Sequence, residues 1–132
     1  GKFDLIVIVD VIEHIKIDEA KKVVGVVKNM LNPNGKVCVV TPNYKSSWLL
    51  MEFVLDKFKL VPKLNNEQHL AKYYRENLIR LFESQKLNLI SVASFNLISY
   101  IVPNKKLAEY LCRLELATGS VYGNLLWGLF GL

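Results

Sequence analysis

The sequence has 132 residues, which is enough for one domain with a hydrophobic core and too few for two. Apolar residues make up 52% of the chain, which excludes a disordered protein, and no apolar run reaches the roughly 18 to 20 residues that span a bilayer. Its two cysteines, Cys38 and Cys112, lie far apart and without metal-ligand spacing. This cysteine usage favours the cytoplasm and gives no reason to expect a bound metal.

The net charge is +5, from 17 basic and 12 acidic residues. The basic excess gathers between Lys57 and Lys86, where it could attract an acidic substrate or an anionic membrane surface. The alternative is an ordinary solvated helix face. No compact basic run with interleaved aromatic residues occurs, so we expect no nucleic acid partner.

The chain opens on a nearly unbroken apolar run, from Phe3 to Val9, which Asp10 closes. Such a run predicts a strand that is buried on both faces, as in a parallel sheet covered by helices. Strands of this kind lie in the middle of a fold. We therefore expect that residue 1 is not the natural beginning of the protein.

The next segment predicts a helix followed by a second strand. Asp18 is the expected N-cap, and the motif "NPNG", residues 32–35, is expected to end the helix before a strand at Lys36–Thr41. An apolar stripe at helical spacing is formed by Ala20, Val23, Val24, Val27 and Leu31. Strand, helix and strand form a βαβ unit, which predicts an α/β fold with a parallel sheet.

Four further elements follow along the chain. Helices are predicted after Ser46 or Ser47 and over residues 75–85, and a long strand over residues 87–102. A last helix over residues 104–117 is expected to end at Gly119, and the tail "NLLWGLFGL" reads as a strand or as a hydrophobic patch. The leucines expected to be buried on that last helix are Leu107, Leu111, Leu114 and Leu116. With no repeat and no linker, residues 1–132 are expected to form a single, partial domain.

Polar side chains follow both predicted parallel strands, and the carboxyl ends of such strands are where ligands bind. The expected rim consists of Asp10, Glu13, His14, Thr41, Asn43 and Tyr44. Structural alternatives stay open for each: Asp10 as a turn cap, His14 as a packing residue, Asn43 as turn chemistry and Thr41 as an ordinary strand end.

Several motifs in this order resemble a known family. These are Phe3–Asp4, the "EH" pair Glu13–His14, "LNPNG" at Leu31–Gly35 and "TPN" at Thr41–Asn43. Together they resemble the second half of a class I S-adenosylmethionine-dependent methyltransferase, of the quinone-biosynthesis-like or type 11–12 group. A later segment, residues 67–92, resembles the same family at His69, Tyr73, Leu78 and Phe82.

Three positions depart from the family pattern. Asn34 replaces the first glycine of its "P-G-G" motif, Tyr74–Arg75 replaces its "T-P" helix opening, and Lys86 replaces its helix-ending glycine. The family's G-x-G-x-G cofactor loop and the acidic residue that follows it are not in this sequence. We therefore expect a C-terminal half, from the family's fourth strand onward, with a mostly parallel Rossmann-like sheet and an antiparallel C-terminal strand pair.

The resemblance implies methyl transfer from S-adenosylmethionine to a small-molecule, lipid or quinone-like acceptor, with this chain as the acceptor-side half and inactive alone. The backbone at Asp10, Val11 and Ile12 would line the methionine end of the cofactor. His14 and His69 are the candidate catalytic bases. The acceptor pocket would be bordered by Thr41, Asn43 and Tyr44, with His69, Tyr73 and Tyr74 as a lid that also contacts the acceptor.

Two other functions are consistent with the sequence. A non-catalytic binding module could have kept the half-fold, and a membrane-surface domain is suggested by the basic segment, Trp48 and the apolar tail. A half sheet also leaves the first strand with an open apolar edge, which favours homodimerisation.

Overall fold

The computed structural model describes residues 1–65, 67–99, 102–118 and 122–132. In chain order the elements are β1 (Phe3–Val9), a 3-10 turn (Ile12–His14), α1 (Ile17–Asn29), β2 (Leu31–Pro42), α2 (Trp48–Lys57), α3 (Arg75–Glu83), β3 (Asn88–Phe95), α4 (Lys105–Ala117) and β4 (Leu125–Gly131). Within these described ranges, no helix is both long enough and apolar enough to cross a bilayer.

The four strands form one mixed sheet in the order β1-β2-β4-β3. β1 and β2 are parallel, whereas β4 lies antiparallel to both β2 and β3. The α/β class is therefore confirmed. The expectation of mostly parallel pairing is not met, because the C-terminal strand enters between β2 and β3 and makes both of its pairings antiparallel.

The tail "NLLWGLFGL" contains β4, an inner strand of the sheet, and is not a surface patch. Phe130 is fully buried and stacks on Phe82 with ring centroids 4.2 Å apart. A Cβ at Gly128 would lie 2.7 Å from the Phe130 ring, so glycine leaves the space that this ring occupies. Gly128 and Gly131, which disfavour a helix in this segment, lie in strand β4.

β1 is an edge strand, not a strand buried on both faces. Phe3, Leu5, Val7 and Val9 are each about half exposed, and only Ile8 of this strand is buried. Alternate residues of a strand share a face, so one face of β1 is apolar and open. Its pairing is with β2 alone, which leaves its other edge free among the described residues.

The βαβ unit forms as predicted, with two local differences. The N-cap of α1 is Lys16, whose backbone N–H donates to Glu19 Oε2 at 3.2 Å, and Asp18 lies in the first turn. The motif at residues 32–35 is part of the β2 run, where the register with β1 shifts. A Cβ at Gly35 would lie 2.8 Å from the Phe3 carbonyl oxygen, so close approach to β1 requires this glycine.

The core lies between the sheet and the helices α1 and α3. Three residues of α3, Leu78, Leu81 and Phe82, are buried there. Lys86 follows α3 with φ 62°, so the position where the family has glycine does require a left-handed conformation. The buried residues of α1 are Ala20, Val24 and Val27, and Leu31, the first residue of β2, is buried with them.

The C-terminal elements differ from the prediction in extent and burial. β3 ends at Phe95, before Asn96 with φ 61°, so the predicted strand was too long, and its residues 100–101 lie outside the described part. α4 forms, but none of its residues is buried, and Leu107 and Leu114 are about half exposed. No described element packs closely over those leucines. Gly119, the predicted helix end, is also outside the described residues.

Candidate functional site

The carboxyl ends of β1 and β2 lie side by side because the two strands are parallel, with Val9 opposite Val40. The Asp10 N–H donates to the Val40 carbonyl at 3.0 Å, and Asp10 then takes a left-handed conformation with φ 49°. This conformation directs the chain out of the sheet. The 3-10 turn that follows buries Glu13 and leaves His14 exposed at the rim.

Glu13 joins the rim to the segment that precedes α3. Its carboxylate Oε2 accepts a hydrogen bond from Thr41 Oγ1 at 3.0 Å, and its backbone carbonyl accepts from the N–H groups of Leu70 and Ala71. The side chain is 1% exposed. Burial is the main reason that the pKa of Glu13 is raised above its usual value.

His69, in the same segment, belongs to a buried polar cluster with Glu52 of α2. His69 Nδ1 lies 3.1 Å from Glu52 Oε1 and 2.7 Å from the Tyr44 hydroxyl, which itself donates to Glu52 Oε1 at 3.0 Å. Burial and the neighbouring Glu52 charge raise the pKa of Tyr44, so its hydroxyl stays protonated and donates. Because a carboxylate only accepts, Nδ1 of His69 is the donor in this contact, which leaves Nε2 as the nitrogen available to a ligand.

His14, in the turn after β1, lies beside His69 and lines the same pocket. Its Nδ1 donates to the Gln68 carbonyl at 2.8 Å, which leaves Nε2 as the nitrogen available to a ligand. That Nε2 lies 4.0 Å from Glu13 Oε1. The His14 and His69 ring centroids are 5.1 Å apart. Two imidazoles and a buried carboxylate therefore converge at the ends of the parallel strands.

These groups open into a pocket of about 230 Å³. Its lining comprises Asp10, Glu13, His14, Pro42, Trp48, Leu64, His69 and Leu125. A larger groove of about 420 Å³ runs along α2 and is lined by Glu52 but by neither histidine. The smaller pocket is the one that combines a cavity with chemically active side chains, and we take it as the candidate site.

α2 and the segment after it form a cover over this pocket. Both oxygens of the Asp56 carboxylate accept backbone N–H groups, from Leu64 at 2.8 Å and from Asn65 at 3.0 Å. Trp48, at the start of α2, lies with its ring centroid 6.1 Å from that of His69. The Asp56 contacts thus hold the following segment against the end of α2, and Trp48 places the start of α2 beside His69.

The structure brings together only part of the predicted site. Thr41 and Tyr44 contact it through Glu13 and His69, and Asp10 lines the pocket. Val11 is exposed, whereas the Ile12 side chain is fully buried and could offer only its backbone. The assigned roles of these residues remain predictions.

Three predicted acceptor residues lie elsewhere. Asn43 is buried, and its Nδ2 donates to the Gly123 carbonyl at 2.9 Å, which ties the end of β2 to the approach to β4. Tyr73 lines a separate pocket beside Arg80, and burial raises its pKa to about 12. Tyr74 is the N-cap of α3, with the Lys45 ammonium 4.6 Å from its ring centroid.

The sequence analysis missed Glu52 as a partner of His69. One signal was present, because Glu52 is the only charged residue in the apolar run "WLLMEFVL". It is also the one buried residue of α2, since the leucines and phenylalanine around it point outward. A carboxylate buried in this way requires a hydrogen-bonding partner, but the sequence does not identify which one.

A mixed α/β sheet with a polar pocket at the ends of its parallel strands defines the class of α/β proteins that bind ligands at this edge. The comparison with protein families is more specific: the family described as "Methyltransferase domain" matches residues 1–92. The chain belongs to this methyltransferase-domain family. No curated protein sequence matches it.

Solved structures of methyltransferases share the fold. A SAM-dependent methyltransferase from Archaeoglobus fulgidus superposes with a TM-score of 0.63 at 12% identity, over 99% of this chain and 60% of the other. PKMT2 from Rickettsia typhi gives 0.57 at 16% identity, over 99% of this chain and 36% of the other. Phosphoethanolamine N-methyltransferase 2 from Haemonchus contortus was solved in complex with S-adenosyl-L-methionine. It superposes with a TM-score of 0.56 at 14% identity, over 98% of this chain and 33% of the other. The chain thus spans between a third and three fifths of these relatives.

Proposed function

We propose that this chain forms the acceptor side of an S-adenosylmethionine-dependent methyltransferase, with a small-molecule, lipid or quinone-like acceptor. The observation that carries the proposal is the convergence of Glu13, His14 and His69 on one pocket at the ends of β1 and β2. The family membership supports methyl transfer, and the quinone-like acceptor rests on the motif resemblance. The proposal concerns the intact protein, in which this chain is the C-terminal half of the methyltransferase domain and supplies this rim.

The residues after β1 fit one end of the cofactor. Asp10 lines the pocket, and its left-handed backbone turns Val11 and Ile12 away from the sheet. A carboxylate at this rim suits the ammonium group of the methionine moiety. S-adenosylmethionine would supply the electrophilic methyl group. No comparable set for its ribose occurs among the described residues of this rim.

The acceptor would enter the pocket between Trp48 and the two histidines. The side chains of Trp48 and Leu125 offer apolar walls, and the histidines offer the free Nε2 atoms that could take a proton from an acceptor hydroxyl. Glu52 holds the His69 ring in place, and Gln68 does the same for His14. The chain's contribution is therefore orientation of the acceptor and removal of one proton.

Two measurements test this function. Sequencing the coding region upstream of Gly1 should show a strand followed by G-x-G-x-G and an acidic residue about 20 positions later. The protein encoded by that full region, given S-adenosylmethionine with a tritiated methyl group and a cell extract, should transfer label to organic-soluble material. Failure of that protein to bind the cofactor would overturn the proposal.

A contact with a membrane surface is favoured by α2, not by the C-terminal tail. Leu49, Leu50 and Phe53 of α2 are each about half exposed or more, and Phe58 just beyond it is 65% exposed. Lys57, Lys59, Lys63 and Lys72 lie in or near this segment. An apolar face bordered by lysines is the pattern of helices that lie in the interface of anionic bilayers. A lipid acceptor would suit such a surface.

A further inference from the structure

No metal site was predicted from the sequence, but the fold brings three potential metal ligands together. We propose that Glu13, His14 and His69 form a binding site for a divalent metal ion of the zinc type. One ligand atom from each of these residues lies within 4.8 Å of the others. Two imidazoles and one carboxylate are a common protein ligand set for zinc, with a fourth position open to water or substrate.

Each of the three ligands has its own supporting hydrogen bond. Thr41 donates to Glu13 Oε2 and leaves Oε1 free. The Gln68 carbonyl accepts from His14 Nδ1, and the Glu52 carboxylate accepts from His69 Nδ1. Metal-binding histidines nearly always donate their other ring nitrogen to a carboxylate or a carbonyl, as both do here. These contacts fix the tautomer in which Nε2 binds a metal.

The three ligand atoms lie farther apart in this structure than they would around a bound zinc ion. Zinc ligands lie about 2.0 to 2.2 Å from the metal, so a tetrahedral site needs its ligand atoms closer together than the 4.8 Å observed. Glu13 and His69 are held in buried positions, whereas the His14 side chain is 41% exposed. His14 is therefore the ligand whose side chain can move toward a metal without disturbing the core.

The metal would join two parts of the chain that carry the pocket. Glu13 and His14 belong to the turn after β1, whereas His69 belongs to the segment before α3. In the proposed methyltransferase, a bound metal would hold the acceptor oxygen and lower its pKa. The histidines would then act as ligands instead of as bases. Metal binding itself does not depend on methyl transfer.

The test is a titration of metal-free protein, without an affinity tag, with Co²⁺. Tetrahedral Co²⁺ absorbs visible light, and thiolate ligation would add an intense charge-transfer band. We expect saturable absorption at a single ion per chain, without the thiolate band, that Zn²⁺ abolishes by displacement. We also expect Zn²⁺ to raise the melting temperature. Neither readout requires cofactor or acceptor, so this inference and the proposed function can fail separately.

Variants locate the ion. His14→Ala removes an exposed ligand and should still fold, and we expect it to weaken Co²⁺ binding by more than about 100-fold. Glu52→Gln leaves all three ligands in place but changes the carboxylate that supports His69 and also accepts from Tyr44. We expect it to weaken Co²⁺ binding by about 10- to 100-fold. Glu83→Gln, on the exposed face of α3, is the matched control and should bind like the wild type. Absence of saturable absorption, or equal binding by His14→Ala, would overturn the site.

Discussion

His69 Nδ1 lies 3.1 Å from Glu52 Oε1, and both residues are buried, at 5% and 2% exposure. This contact orients the histidine at the pocket and gives the carboxylate of an otherwise apolar helix its partner. The Tyr44 hydroxyl completes the cluster from the end of β2. The contact therefore links the stability of the cover to the geometry of the candidate site.

The Tyr44 hydroxyl should contribute measurably to stability. Tyr44→Phe removes hydrogen bonds to Glu52 and His69 while keeping the ring, and we expect the free energy of unfolding to fall by about 1 to 2 kcal/mol. Urea denaturation measures this change. Tyr110→Phe, on the exposed surface of α4, is the control and should stay within about 0.5 kcal/mol of wild type. Equal effects of both substitutions would contradict the role of the cluster.

Glu13 should make stability depend on pH. Its folded pKa is raised above 4.5, mainly by burial, so its contribution to stability is full below pH 4.5 and is lost as the pH rises through the folded pKa. Glu13→Gln cannot ionise. We therefore expect the stability of this variant, relative to wild type, to increase over that pH window and then level off.

Urea unfolding of metal-free protein at a series of pH values checks this prediction, with Glu83→Gln as the exposed control. A Glu13→Gln variant that loses stability relative to wild type as the pH rises would contradict the prediction. It would show that the hydrogen bonds of the Glu13 carboxylate outweigh the cost of burying its charge.

The left-handed conformation of Lys86 should be costly. A side chain at this φ of 62° costs about 1 to 2 kcal/mol, against about 0.5 to 1 kcal/mol for the extra chain entropy of glycine. We expect Lys86→Gly to raise the free energy of unfolding by up to about 1 kcal/mol. Lys86→Ala keeps the strain and should give no gain. Both variants lose the lysine charge, but only Lys86→Gly relieves the strain of the positive φ. Comparing their thermal and urea unfolding therefore separates the two effects.

The apolar face of α2 should bind anionic vesicles. Burying one leucine or phenylalanine contributes about 1.5 to 3 kcal/mol, so Leu50→Glu or Phe53→Glu should weaken binding by at least about tenfold. Vesicle pelleting with and without anionic lipid measures this, and salt should reduce the binding. Leu107→Glu on α4 exposes a charge at a comparable apolar position and should not matter. Wild-type protein that stays in the supernatant would exclude the contact.

The open edge of β1 should make this chain self-associate. Its free edge and its exposed residues Leu5 and Val7 can pair with a second copy. We expect size-exclusion elution to depend on concentration, and Leu5→Lys/Val7→Lys to shift it toward the monomer. The double substitution Leu107→Lys/Leu114→Lys on α4 is the matched control and should leave the elution unchanged. A wild-type chain that elutes as a monomer at every concentration would contradict association through β1.

Elements with a strong local pattern could be predicted from the sequence. The βαβ unit, the buried stripe of α1 and the helix α3 follow from side-chain periodicity, which depends on neighbours only a few residues away. Which apolar side chains of these elements are buried could not be predicted from local periodicity. The pattern of Phe3–Val9 predicts a buried strand and that of Leu107 a buried helix residue, but both are exposed among the described residues, which place no further layer over them.

For the site, the rim could be predicted from the sequence, since Asp10, Glu13 and His14 follow β1 and Thr41 lies near the end of β2, and a βαβ unit must place these strand ends side by side. His69 was predicted through the family resemblance, but its contacts with Glu52 and His14 are visible only in the folded chain. The same fold leaves Asn43, Tyr73 and Tyr74 outside the pocket. Contacts between distant segments depend on how the cover packs on the sheet, and no local periodicity encodes that packing.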